Sequence, residues 1–247
     1  MSISQYFEKI YYINLDEDTN KEKYFRTEIK KSTSLNSCVR FDAIIGKYLD
    51  IRLVPGEIIT DRAKQDILAK KQKSYGISLT YGSLACALSH YFIYKECSIA
   101  SRPYLIFEDD AILDSDFDKD LKDALLEIPN DYDILYLGYN EIPGFSKSPF
   151  STYLSKPKGL ITGLYGYALS NSGARKIIDT IFPLDRQIDS SISNNLDRFS
   201  VYCSTKRCVG VRTDFGSKTQ QQKSCDNVHR TGNTNDISIH SWNKLFR

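Results

Sequence analysis

Tyr104–Phe107 is an apolar run of strand length, opened by Pro103, that passes directly into three consecutive carboxylates: Glu108, Asp109 and Asp110. Such a run suits an inner strand of an α/β sheet, covered on both faces. Three adjacent acids repel one another, because like charges a few ångströms apart disfavour the ionised form. A hard divalent cation, which takes oxygen ligands, removes that conflict. Ligands in open α/β sheets bind beyond the carboxyl ends of the strands, where these acids fall. The plainer alternative is a strand that ends in an acidic, solvated turn.

The surrounding chain alternates strands with helices. Lys9–Leu15, rich in β-branched and aromatic residues, reads as a first strand, and Val39–Ile45 as a second that Gly46 ends. Lys21–Lys30 is predicted helical with Tyr24, Phe25 and Ile29 buried, and Thr60–Lys73 is a charged helix whose lysines are solvated or form a lid. Gly82–Cys97 is a helix with Ser83 as N-cap and small residues that admit a ligand or a second backbone. His90 in that helix is a candidate ligand-binding residue; the alternative is a hydrogen-bonded core histidine. Asp116–Glu127 follows as a helix, then strand Tyr132–Leu137 and a loop, Gly138–Gly144. Phe145–Gly159 has no clear periodicity and reads as a long loop. Strand Leu164–Leu169, a capped helix at Gly173–Ile181, a helical stretch to Phe199 and one or two strands within Val201–Val211 complete the pattern. No repeat or linker divides the chain. The expected fold is a single α/β domain with a mostly parallel central sheet, spanning residues 1–215. Residues 216–247 are expected to form an irregular polar and basic segment on or near the active site.

Charge is uneven: eight acids face two lysines between Glu108 and Asp123, and eight Lys/Arg face three Asp from Ser200 onward. That arrangement would suit a metal–phosphate ligand held between them. The net charge of +2 gives no reason to expect nucleic acid as a partner. No apolar stretch reaches membrane-spanning length, and Met1–Lys9 lacks a signal core. A cytoplasmic protein with reduced thiols is therefore expected. Cys203, Cys208, Cys225 and His229 form a weakly spaced zinc candidate, with free thiols the alternative. There is no GxGxxG, Walker-type or GxSxG motif.

Taken in order, Tyr12–Asp16, Phe41–Gly46, Gly82–His90, Leu105–Ala111, Asp133–Gly138, Gly166–Ala174 and Pro183–Asp185 resemble the blocks of glycosyltransferase family 25. That family includes bacterial lipooligosaccharide galactosyltransferases, procollagen galactosyltransferases and relatives in large DNA viruses. The resemblance covers roughly residues 8–220 and is poor after Gly210. It implies a GT-A type, Rossmann-like fold, a UDP-sugar donor carrying galactose or glucose, Mn²⁺ or a similar ion, and inverting transfer to a glycan or protein-linked hydroxyl. It assigns the metal to Asp110, with Asp109 and Glu108 as further ligands or as groups that orient the donor. Asn14, Asp16, Arg26 and Asp42 are implied on the nucleotide side. Asp185 is the first choice for the base that deprotonates the acceptor, with Asp189 and Glu141 as alternatives. His229 or His240 would complete the metal shell. Competing readings are a catalytically degenerate nucleotide-sugar or glycan-binding module, and a metal-dependent phosphatase or nuclease on the same acidic strand end.

Overall fold

The computed structural model describes residues 3–70 and 78–216. The elements are α1 (Ile3–Tyr6), β1 (Lys9–Asn14), α2 (Thr19–Ile29), β2 (Cys38–Asp42), α3 (Asp61–Leu68), α4 (Tyr81–Ile99), β3 (Tyr104–Glu108), β4 (Ala111–Leu113), α5 (Phe117–Glu127), β5 (Ile134–Glu141), β6 (Ser146–Pro149), β7 (Leu154–Lys158), β8 (Ile161–Leu169), α6 (Asn171–Ile181), α7 (Ile188–Ser193), β9 (Val201–Ser204) and β10 (Val209–Val211). Eight strands make one sheet in the order β2-β1-β3-β8-β5-β9-β7-β6. β1 pairs in parallel with β2 and β3, and β5 with β9. Only β8 and β7 run against the other strands. The sheet is thus mostly parallel in strand direction, the α/β arrangement that the alternation of elements predicts, and it is Rossmann-like as the resemblance implies. A two-stranded ribbon, β10 with β4, lies beyond the end of β3.

β3 sits inside the sheet between β1 and β8. Its alternate side chains serve different layers. Tyr104 and Ile106 join the core beneath α4, α6 and α7, while Leu105 and Phe107 join the core beneath α1, α2 and α5. All four are at most 1% exposed, and each contributes about 1.5–3 kcal/mol through burial. The apolar run thereby anchors the carboxylates that follow it.

α4 is buried around most of its circumference, including Leu84, Leu88, Ser89, His90 and Tyr94. Its N-cap is Thr80 rather than Ser83. Ser83 stands at the third helical position and completes a reciprocal box, its amide donating to Thr80 Oγ1 at 3.0 Å while its hydroxyl accepts from the Thr80 amide at 2.7 Å. Other boundaries also move. Gly138–Glu141 extends β5 instead of opening a loop, and Phe145–Gly159 contains the β6–β7 hairpin. That hairpin lies at the sheet edge and is largely exposed, so its sequence carries little apolar alternation. α3 stops at Leu68, α7 stops at Ser193, and β2 stops at Asp42. On α2, Phe25 and Glu28 are buried, whereas Tyr24 and Ile29 are only half-buried. Lys71 and Lys73, and the expected tail with Cys225, His229 and His240, lie outside the described residues.

Candidate active site

Parallel register brings the first three strands to one line. Asn14 pairs with Asp42, and Ile13 with Glu108, so β1, β2 and β3 finish together at the carboxyl edge. A cleft opens beyond them. Its walls are the turn after β1 (Leu15, Glu17, Asp18) with Lys21 of α2, the turn after β2 (Ala43–Lys47) and the first half of α4, with Glu108, Asp109 and Asp110 at its base. Ser89 Oγ accepts from the Ile44 amide at 2.9 Å and ties the second turn to the helix. A Cβ on Gly46 would stand 2.6 Å from the Tyr81 carbonyl oxygen, closer than real contacts, so this wall requires glycine.

The Asp109 carboxylate accepts from Asn14 Nδ2 at 2.7 Å and from Lys21 Nζ at 3.1 Å. The same Lys21 ammonium lies 3.7 Å from Asp110. Burial raises the Asp109 carboxyl, and Lys21 and Asn14 pull it back only in part. Asp110 is pushed up to about 7 by burial and by the charge of Glu108, with Lys21 opposing and Asp109 adding to the rise. Burial alone would lower Lys21, but Asp109 and Asp110 outweigh it and hold the ammonium charged. Asp110 Oδ1 and Asn14 Oδ1 are buried without a hydrogen-bond partner among the described residues. Two partly compensated carboxylates and two orphaned oxygens, all hard donors, fit a divalent cation of the Mg²⁺/Mn²⁺ type.

Glu108 belongs to the opposite wall. Its Oε1 lies 3.4 Å from His90 Nε2, and His90 Nδ1 lies 2.8 Å from the Tyr167 hydroxyl. Tyr167 in turn donates to Tyr94 at 3.0 Å. His90 is fully buried, as the core reading expects, yet its ring also reaches the cleft. Cys86, one helical turn before His90, completes a set with ligand atoms within 4.8 Å of one another.

The three candidate bases occupy different surroundings. Asp189 is half-buried, and burial and Glu108 raise its carboxyl against the opposing hydrogen bonds from the amides of Gly163 (3.1 Å) and Ser190 (2.7 Å). It is near enough to raise the Cys86 thiol too, after burial and Glu108. Asp185 is half-exposed and paired with Arg186 at 2.9 Å, which holds its carboxyl below the usual range. Glu141, at the end of β5, pairs with Arg207 and Lys147. On the nucleotide side, Asn14 reaches the acids, but Asp16 and Asp42 are exposed and share Arg40 on the rim. Arg26 is exposed and turned to Glu22. Neither Asp16, Asp42 nor Arg26 lines the cleft. Cys203 and Cys208 fall into separate cores on opposite sides of the sheet, so the described members of the zinc candidate set do not converge. Lys21 carries no motif, and Cys86, one of the small residues within the Gly82–His90 block, reads in the sequence only as giving room for a ligand; the fold places its sulfur beside His90 and Glu108.

The family model described as "Glycosyltransferase family 25 (LPS biosynthesis protein)" matches residues 7–192. The chain is 29% identical over 189 residues to procollagen galactosyltransferase 1-B of Xenopus laevis, covering 70% of this chain and 28% of that protein. Procollagen galactosyltransferase 1-A of the same organism is 27% identical over the same coverage. An inactive glycosyltransferase 25 family member 3 of Homo sapiens is 31% identical over 125 residues, 46% of this chain and 20% of that protein. The chain therefore spans little more than a quarter of the length of the galactosyltransferases it matches.

Proposed function

The chain belongs to glycosyltransferase family 25, and from that premise we propose that it transfers a hexose, galactose or glucose, from a UDP-sugar to a hydroxyl on a glycan or protein acceptor, with Mn²⁺ as its cation. The observation that carries this reading is the Asp109–Asp110 pair at the carboxyl end of β3, Asp109 buried and Asp110 half-buried with one buried carboxylate oxygen that has no partner among the described residues, at the base of the cleft.

Asp110 and Asp109 would hold the cation. When bound, it acts as a Lewis acid on the diphosphate of the departing nucleotide. Lys21 supplies a fixed positive charge to the same corner, and Asn14 orients Asp109. The turns after β1 and β2 and the start of α4 form the nucleotide walls, with Gly46 permitting their close approach. Asp189 is the carboxylate best suited to take the acceptor proton, because burial raises its basicity. Asp185 is less suited, since Arg186 stabilises its ionised form.

The test is sugar transfer and donor hydrolysis with UDP-galactose and UDP-glucose, in Mn²⁺ and in chelator, across glycan and procollagen-peptide acceptors. Turnover that needs the metal supports the reading. UDP binding without any turnover would favour the non-catalytic module, a reading supported by the inactive human relative. Phosphate release from simple phosphoesters would favour the phosphatase reading.

A further inference from the structure

The three consecutive acids do not face one way. Asp109 turns to Asn14 and Lys21, whereas Glu108 turns to α4. His90 Nδ1 lies 2.8 Å from the Tyr167 hydroxyl, which also bonds Tyr94 at 3.0 Å, so the fully buried ring is held with Nε2 turned to a Glu108 carboxylate oxygen at 3.4 Å. A neutral imidazole whose Nδ1–H is taken by the Tyr167 oxygen presents Nε2 as a metal ligand on that side. Cys86, at i−4 on the same face of α4, brings its sulfur into the same group.

We propose that Cys86, His90 and Glu108 form a binding site for a thiophilic or borderline divalent cation of the zinc class, separate from the hard-donor pair Asp109–Asp110. A thiolate, an imidazole and a carboxylate are the ligand types such ions select. Three protein ligands with the cleft on the remaining side make an open site rather than a closed structural one. Tyr167 fixes the ring orientation and tautomer, the usual task of an outer partner of a ligating histidine. The site needs only the side chains present and does not depend on the transfer reaction.

The test is a Co²⁺ titration of the chelator-stripped full chain, followed in the ultraviolet and visible, with Zn²⁺ as displacing ion. The site predicts one equivalent with visible d–d bands and a thiolate-to-cobalt charge-transfer band, both lost on adding Zn²⁺. Cys86→Ser removes the charge-transfer band, and Asp109→Asn leaves it. Tyr167→Phe weakens Zn²⁺ binding by about 10–100-fold while the band remains. Absence of the band at saturating cobalt, or its survival in folded Cys86→Ser, overturns the proposal. Should circular dichroism show Cys86→Ser unfolded, Glu108→Gln takes its place: it must keep the sulfur band, change the d–d bands and weaken Zn²⁺ binding, and unchanged spectra and affinity overturn the site.

Discussion

Lys21 Nζ lies 3.1 Å from Asp109 Oδ1, which places a tethered cation at the mouth of the candidate metal site. Two charges about 4 Å apart interact by about 1 kcal/mol in water and about 4 kcal/mol at an effective dielectric constant of 20. Lys21→Met therefore removes a competitor for Asp109 and Asp110. Mn²⁺ affinity of the variant should rise by about one to two orders of magnitude in a calorimetric titration. Unchanged or weaker binding would show that the ammonium and the metal do not share these oxygens.

The pH dependence of stability follows from Asp110. Its folded value of about 7 stands above the roughly 4 of an ordinary aspartate. Between those values the native state keeps a proton that the unfolded chain has released. The stabilisation is full below about pH 4 and is lost as pH rises through about 7. Metal-free wild-type protein should lose Tm between pH 5 and 8, and Asp110→Asn should lose less. Equal slopes for the two proteins would remove Asp110 as the source.

Gly46→Ala tests the wall between the second turn and α4. The added methyl meets backbone, which cannot rotate away. Overpacking of this kind costs about 1–3 kcal/mol, read in denaturant unfolding. UDP affinity should fall along with stability, because the cleft wall moves.

Asp189→Asn should lower kcat by about 10²–10⁴-fold, the range for loss of a general base, with little change in UDP affinity. Asp185→Asn should change kcat by less than about threefold. The reverse order would return the base to Asp185.

Sequence made the centre of this fold legible because β3 is buried on both faces and reads as an uninterrupted apolar run. Asn14 and the three acids were legible because they sit at strand ends, where register puts ligands. The β6–β7 hairpin was not, since an exposed edge pair needs no apolar alternation. Thr80 was hidden because the cap and its partner Ser83 are both hydroxyl residues, and either fits the local pattern. Lys21 was hidden for a different reason: its significance comes from juxtaposition with Asp109, 88 positions away, and nothing in its own neighbourhood marks it. Cys86 was legible only as a small residue that gives a ligand room, and its sulfur gains significance from Glu108, 22 positions away.

The central claim is that Asp110 holds a cation on which nucleotide binding depends. The most direct measurement is calorimetric titration of UDP into wild-type protein and Asp110→Asn, each in Mn²⁺ and in chelator, with folding checked by circular dichroism. UDP should bind wild type in Mn²⁺, weaken by at least about tenfold in chelator, and show no metal dependence in folded Asp110→Asn. Equal UDP affinity in all four titrations would contradict the claim.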